Sequence, residues 1–254
     1  MYDAISNDYD RFVNWEARLH DEMPFIERQI RQVANSGSQV LDAACGTGMH
    51  ALALGQLGFH VSGADLSSGM IDRARLNAKE AGLDLRFDAI GFGKLAQYFG
   101  SQTCDALLCL GNSLPHLTNR SAQADALVDF ATCLRPGGVL LMQNRNFDAV
   151  LRSQTRWMEP QSHHNGDAEW LFLRFYDFDP DGLISFHMLT LHRQRSSEWT
   201  QQVTTTRLYP LRQHELITLL TEAGFFQISC YGDMNEKPFD PATSGNLVIS
   251  AIRK

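Results

Sequence analysis

Four residues are spaced to hold an adenosine-containing ligand: Asp42, Gly46, Gly48 and Asp65. In "LDAACGTG" (41–48) a hydrophobic run ends on an acid, and two glycines then flank a threonine. A turn of that composition lets a ligand approach bare backbone. Asp65 ends the next hydrophobic segment, 65 − 46 = 19 residues beyond Gly46, near the ~20 expected of a carboxylate that accepts hydrogen bonds from ribose. Gly46-x-Gly48-x-x-Ala51 satisfies the G-x-G-x-x-G/A pattern, so a nicotinamide dinucleotide is one reading. A sulfonium-bearing adenosine ligand is the other. Asp42 favours the second, because an acid beside the turn repels a pyrophosphate and attracts an ammonium or a sulfonium. Met70, in "DLSSGM", either lies on adenine or belongs to the core, and Asp65 either holds ribose or caps the helix that follows.

A second group follows later hydrophobic runs. "GNSLPHL" (111–117) and "NRNFD" (144–148) each stand just beyond a strand-like segment, and ligands of open α/β sheets bind beyond the carboxyl ends of strands. A guanidinium there, Arg145, can hold a carboxylate through two parallel hydrogen bonds; its bland alternative is an ion pair with Asp148. Asn112 is either a substrate contact or a turn residue. His116 is either a general base or a histidine that fixes its loop.

The elements that must position these residues alternate. Residues 12–33 place Leu19, Met23, Ile26, Ile30 and Val33 on one helical face, with Pro24 marking a break or kink. "SQVLDAA" (38–44) reads as a buried strand, "MHALALGQL" (49–57) as a buried helix stopped by Gly58, and "FHVSGAD" (59–65) as a strand. Ser67 caps a helix to about Ala81, ended by Gly82. "LDLRF" (83–87) and "CDALLCL" (104–110) are strands, Ser121 starts a helix with Ala124, Leu127, Val128 and Ala131 on one face, and "RPGG" (135–138) is a turn before "VLLMQN" (139–144). After about residue 150, "EWLFLRFYDF" and "LISFHMLTLH" flank "DPDG", a hairpin signal, and "WTQQVTTTRLY" (199–209) offers a third strand. A helix over 212–225 and two strands near "FFQISCY" and "NLVISAI" complete the chain.

This order predicts an α/β fold: Rossmann-like, doubly wound, a mostly parallel seven-stranded sheet with an antiparallel β insert after the fifth strand. The expected organisation is an N-terminal helical lid (1–36), a cofactor-binding core (37–149), the insert as substrate cover or oligomer contact (150–209) and a C-terminal completion of the sheet (210–254). The aromatics Tyr2, Tyr9, Phe12 and Trp15 either form that lid or pack an N-terminal helix. Trp170, Phe172, Phe175 and Phe186 in the insert could build an apolar acceptor pocket.

Composition excludes several classes. A chain of 254 residues with 44% hydrophobic content has enough length to bury a large core. Its net charge of −7 and lack of a basic run argue against nucleic acid as a partner. No apolar run reaches the ~18 residues of a membrane span, and the acidic N-terminus lacks a signal-peptide layout, so a cytoplasmic location is the expectation. Five cysteines without C-x-x-C spacing read as reduced, buried small hydrophobes, and no metal site is indicated.

"VLDAACGTG", "GADLSSGM", "DALLCLGNS" and "LRPGGVLL", in this order over residues 40–141, resemble the motifs of the class I S-adenosylmethionine-dependent methyltransferases. Ala44 stands where many members carry glycine. The cofactor implied is S-adenosyl-L-methionine, with S-adenosyl-L-homocysteine as product. The candidate contacts are Tyr9, Asp42, Ala44, Gly46, Gly48, Asp65, Leu66, Met70, Asp88, Ala89 and Leu110. More narrowly, the G-N-S-x-x-H-L and R-N-[YF]-D segments resemble the glycine N-methyltransferase and glycine/sarcosine methyltransferase group. That resemblance implies a substrate role for Asn112, carboxylate binding by Arg145 and, through "LYPLRQHEL" with "YGDMNEKPFD", an active-site role for Tyr209. His116 completes the catalytic candidates, and the group's basic N-terminal contact to the cofactor is not evident. The implied activity is N-methylation of a glycine- or sarcosine-like small molecule by in-line transfer. O- or C-methylation of an aromatic or quinone-like acceptor is the alternative, and a nicotinamide oxidoreductase or a cofactor-binding protein without catalysis is more distant. "GNSL" stands where amino-methylating DNA enzymes carry N/D-P-P-Y/F. A membrane partner is not expected, and a homo-oligomer contact through the outer face of the insert stays open.

Overall fold

The structure, a computed structural model, describes residues 2–34, 37–195 and 197–254, with the backbone alone for residues 2–5 and 7. Its strands fall into two sheets. β1 (Gln39–Asp42), β2 (His60–Asp65), β3 (Arg86–Ala89), β4 (Cys104–Cys109) and β5 (Leu134–Arg145) form the first. β6 (Gln161–Asn165), β7 (Ala168–Phe178), β8 (Ile184–Gln194) and β9 (Thr200–Leu208) form the second. β10 (Phe225–Tyr231) and β11 (Asn246–Arg253) return to the first, whose order is β10-β11-β5-β4-β1-β2-β3. β1 to β5 pair in parallel, while β11 runs antiparallel to both β5 and β10. This is the Rossmann-like, mostly parallel seven-stranded arrangement that the alternating pattern predicts.

The helices are α1 (Tyr2–Phe12), α2 (Trp15–Val33), α3 (Met49–Gln56), α4 (Ser68–Glu80), α5 (Leu95–Phe99), α6 (Arg120–Cys133), α7 (Phe147–Ser153) and α8 (Gln213–Glu222). They cover both faces of the first sheet, and strand periodicity assigns the layers. Leu107, Cys109, Leu140 and Met142 pack with Phe130 of α6 and Leu216 of α8. Their neighbours Ala106, Leu108, Val139 and Leu141 pack on the other face with Ile26 of α2, Leu54 of α3 and Ile71 of α4. Burying a leucine side chain completely contributes about 1.5–3 kcal/mol, so two such layers hold the central strands firmly. No helix among the described residues is long and apolar enough to cross a membrane.

Several local expectations need correction. Pro24 neither breaks nor ends α2, which runs through it from Trp15 to Val33. A proline inside a helix costs about 3 kcal/mol, and the complete burial of Phe25, Ile26 and Ile30 outweighs that. Asn119, not Ser121, caps α6, its Oδ1 accepting the Ala122 N–H at 2.8 Å. Leu127 and Ala131 of that helix are buried as expected, Val128 is exposed, and Ala126, Phe130 and Cys133 complete the buried face. "RPGG" lies within β5, where the register against β4 shifts and Gly137 adopts φ +81°. The third strand begins at Arg86, later than "LDLRF" implied. The second sheet has four strands, β6 being the addition, in the antiparallel order β6-β7-β8-β9.

The second sheet faces the carboxyl ends of the first. Arg174, Tyr176, Phe186 and Met188 lie on its inner face, across the β7–β8 register pairs Arg174–Met188 and Tyr176–Phe186. Phe175 stacks on His187 at 4.6 Å and Trp170 and Phe172 pack around Phe12, so of the four aromatics expected to build a pocket Phe186 alone lines the cavity beneath this sheet. Asn146 anchors the start of α7 by donating from Nδ2 to the carbonyls of Asp240, Pro241 and Ser244.

Candidate functional site

Two adjoining cavities open where the sheets meet, and they share Tyr9, Arg18, Gly111 and His116. The first, of about 430 Å³, is built on the loop after β1. Gly46 turns that loop with φ +54°, and its N–H donates to Asp65 Oδ2 at 3.0 Å. Asp65 Oδ1 accepts the Ser67 N–H at 2.9 Å, and Ser67 Oγ in turn accepts from Met70 N to cap α4. Asp65 therefore braces the loop against the next helix while still lining the cavity.

The glycines divide by role. A Cβ on Gly46 would meet only the Tyr9 ring, at 3.9 Å, within the cavity. A Cβ on Gly48 would stand 2.9 Å from Phe87 Cζ, and one on Gly63 2.5 Å from Phe87 Cδ1. Gly46 thus leaves room for a ligand, whereas Gly48 leaves room for Phe87.

Asp42, Ala44, Leu66, Met70 and Leu110 also line this cavity. Gly48 does not. Nor do Asp88 and Ala89: the Asp88 carboxylate is held by Arg86 and the Tyr98 hydroxyl, and Gly91 and Phe92 line the wall further along. Asp42 is 1% exposed and its Oδ2 has no partner. Burial, with the charge of Asp65 second, raises its carboxyl to about 7.

Sequence reading missed Arg18 and His50, which line this cavity together with Trp15. The Arg18 Nε donates to both Glu22 carboxylate oxygens at 3.1 Å, and its guanidinium lies 5.1 Å from the centre of the Trp15 ring. Glu22 Oε2 also meets His50 Nε2 at 2.6 Å. Burial pushes Glu22 up, but the His50 hydrogen bond and the Arg18 charge prevail and hold it below the usual carboxylate range. Burial lowers His50. The i,i+4 spacing of Arg18 and Glu22 was the available signal, though it reads equally as surface pairing.

The second cavity, of about 550 Å³, lies under the second sheet. Asn112 sits at φ +65° after Gly111 at +72°, a left-handed pair that turns the chain back after β4. Its N–H donates to the Gln143 carbonyl and its Oδ1 accepts the Arg145 N–H, each at 2.9 Å. Asn112 is thus a turn residue, and it also lines the cavity. Arg145 reaches Asn246 Oδ1 with Nη1 at 3.5 Å and hydrogen-bonds Tyr176, while its buried Nε has no partner. The ion pair with Asp148 does not form, because that carboxylate accepts the Gln213 N–H at 3.0 Å.

His116 stands between the cavities with Nδ1 3.4 Å from Thr206 Oγ1, and burial lowers its pKa to about 4. Tyr209 lines neither cavity. It packs against the core, donates to Glu215 Oε1 at 3.2 Å, and burial raises its pKa. Tyr176, buried beside Arg145, occupies the chamber instead. Of the aromatics expected either to form a lid or to pack the N-terminal helix, Tyr9 lines both cavities, Phe12 packs edge-on against Phe172 at 5.4 Å, and Trp15 joins Tyr9 at 6.3 Å. The Tyr2 side chain lies outside the described residues.

Known proteins resemble the chain at three levels. A family profile described as a methyltransferase domain matches residues 40–138. The glycine/sarcosine N-methyltransferase of Aphanothece halophytica is 30% identical over 228 residues, covering 90% of this chain and 80% of its own length. That of Parasynechococcus marenigrum (strain WH8102) is 31% identical over 227 residues, covering 89% and 75% respectively. The crystal structure of an S-adenosylmethionine-dependent methyltransferase from Clostridium acetobutylicum shares the fold with a TM-score of 0.78 at 15% identity, covering 99% of this chain and 98% of that one.

Proposed function

From the premise that this chain belongs to the class I S-adenosylmethionine-dependent methyltransferases, we propose that it methylates the nitrogen of a small amine carrying a carboxylate, with glycine and sarcosine as the reference acceptors. S-Adenosylmethionine is the cofactor, and the first cavity fits it on two grounds. Asp42 offers a buried carboxyl oxygen without a partner, the chemical counterpart of an ammonium. Gly46 leaves a cradle that any side chain would narrow against Tyr9. In this reading Asp42, Ala44, Gly46, Asp65, Leu66, Met70 and Leu110 hold the cofactor, Tyr9 covers it, and Arg18 meets its carboxylate.

When bound, the cofactor supplies a methyl group on a sulfonium, whose sulfur keeps the bonding pair as the methyl leaves. The chain's own residues position the acceptor for that transfer. Arg145 holds its carboxylate, Asn112 fixes the Arg145 backbone, and Tyr176 takes the place that resemblance alone gave to Tyr209. The amine lone pair forms the new N–C bond, and its proton leaves to solvent, because a histidine with a pKa of about 4 is a poor acceptor for it. The second sheet covers the acceptor chamber. Holding them in line supplies part of the ~7–11 kcal/mol available from proximity.

The observation that carries this reading is Arg145, a guanidinium at the carboxyl end of β5 with its buried Nε unpartnered in the acceptor chamber. Release of S-adenosylhomocysteine across glycine, sarcosine, dimethylglycine and a panel of phenols and quinols tests it. Turnover confined to amines is expected. Turnover of a phenol or quinol with no amine accepted would move the chemistry to oxygen or carbon.

A further inference from the structure

The acceptor chamber holds a second arginine that the reading above leaves without work. Arg174, on the inner face of β7, lines the second cavity and not the first, so it faces the acceptor rather than the methyl donor. Its guanidinium lies 4.7 Å from the centre of the Phe12 ring, which orients it but supplies no negative charge. Its Nε, like that of Arg145, is buried and has no hydrogen-bond partner. Among the described residues neither arginine forms an ion pair, although Arg11, Arg18, Arg73, Arg156 and Arg193 all do.

The acids of this chamber do not answer the pair. Glu22 is engaged by Arg18 and His50. Glu159 is exposed at the outer edge. Burial and the like charge of Arg145 both lower the Arg174 pKa, so each guanidinium makes the other costlier to hold. One carboxylate on Arg145 relieves the repulsion but leaves the buried Arg174 guanidinium with no negative charge of its own to meet. The chamber's size agrees: at about 550 Å³ it lies within the ~300–1,000 Å³ of pockets for ligands much larger than a two-carbon amino acid.

We infer that the acceptor is a small amine bearing two negative charges, one on Arg145 and one on Arg174, carried by two carboxylates or by one doubly ionised acid such as a phosphonate. The inference rests on the N-methylation reading and narrows its substrate. The transfer is unchanged: the nitrogen lone pair forms the N–C bond, the S–C pair stays on sulfur, and the proton goes to solvent. Arg174 selects the acceptor through charge, with the planar fork that suits carboxylate and phosphonate geometry.

The test uses the full chain and two readouts. Initial rates of S-adenosylhomocysteine release are measured with glycine, sarcosine, iminodiacetate, aspartate, glutamate and aminomethylphosphonate. Melting temperature is measured with each of these on protein saturated with S-adenosylhomocysteine. We expect at least one dianionic amine to exceed glycine tenfold in kcat/KM. Arg174→Gln reduces that preference tenfold or more, and Arg174→Lys restores part of it. The dicarboxylate and phosphonate arms distinguish two acids from one.

Faster methylation of glycine than of every dianionic amine, with a preference that Arg174→Gln leaves unmoved, overturns the inference and spares the N-methylation reading. A dianionic amine that raises the melting temperature without being methylated supports the two-arginine site and removes that reading. No amine methylated and none stabilising the protein overturns both.

Discussion

Asn112 Oδ1 accepts the backbone N–H of Arg145 at 2.9 Å, so the turn that leaves β4 fixes the last residue of β5. The residue that aims the guanidinium is thus tied to its place by a side chain from a neighbouring strand's end. The bond and the left-handed backbone can be separated by mutation. Asn112→Gly removes the side chain and keeps φ +65° comfortable. Asn112→Ala removes the side chain and adds the ~1–2 kcal/mol cost of a left-handed L-residue. Both variants should raise KM for the amine, and only alanine should also lower the melting temperature markedly. Equal melting temperatures for the two variants would show that the turn is not strained.

Arg145→Lys keeps the charge and loses the planar fork, a change worth about one to two kcal/mol where two parallel hydrogen bonds are at stake. KM for a carboxylated amine should rise about tenfold in Arg145→Lys and further in Arg145→Ala. Affinity for S-adenosylhomocysteine, measured by titration calorimetry, should change little, since Arg145 does not line the first cavity. An unaltered KM would remove this residue from the site.

Asp42 gives a pH dependence with a definite sign. Its carboxyl is raised from the ordinary 3.8 to about 7, so over that interval the folded, cofactor-free chain binds a proton that the unfolded chain has lost. The stability owed to this group is therefore present at low pH and declines as pH rises from 3.8 to about 7. A cofactor ammonium reverses the preference by favouring the carboxylate. Affinity for S-adenosylhomocysteine should accordingly strengthen from pH 5.5 to pH 7.5, with proton release on binding. Asp42→Asn should flatten both profiles and weaken affinity at pH 7.5, as followed by calorimetry in buffers of different ionisation enthalpy.

Gly46 and Gly48 are expected to part company. Gly46→Ala places a methyl group in the cofactor cradle and a side chain at φ +54°. Gly48→Ala drives its methyl to 2.9 Å from Phe87 at φ +82°. We expect the first to lose at least tenfold in cofactor affinity with a moderate fall in melting temperature. The second should unfold at markedly lower temperature, because overpacking costs ~1–3 kcal/mol on top of the backbone strain. Differential scanning fluorimetry with and without S-adenosylhomocysteine separates the effects.

How much of this was legible in the sequence differs by physical cause. The first sheet was legible because short buried runs such as "CDALLC", and Ser67, Gly58 and Gly82 at helix ends, mark their elements locally. Asp42, Gly46 and Asp65 were legible because one short loop and one strand end bring them together. Arg18, Arg174 and Tyr176 were not, since each reaches the cavities only through packing of α2 or the second sheet, a relationship without local spacing. Asp88 and Tyr209 looked equally suitable in the sequence, yet the first is drawn off by Arg86 and Tyr98 and the second by Glu215. Pro24 misled because a propensity rule was weighed without the burial of Phe25 and Ile26 beside it.

The chain inserts its second sheet as one excursion between β5 and α8, anchored at Asn146 and at the Tyr209 N–H, which donates to the Pro115 carbonyl. In the proposed reading, the floor that grips the nucleoside and the ceiling that meets the acceptor are thus written in different stretches of sequence. Arg174, Tyr176 and Phe186 can be exchanged to resculpt the ceiling while the donor's grip is left alone, whereas Met188 packs with Met70 and cannot. An engineer who wants a new acceptor has, in Arg174, Tyr176 and Phe186, a compact palette to begin with.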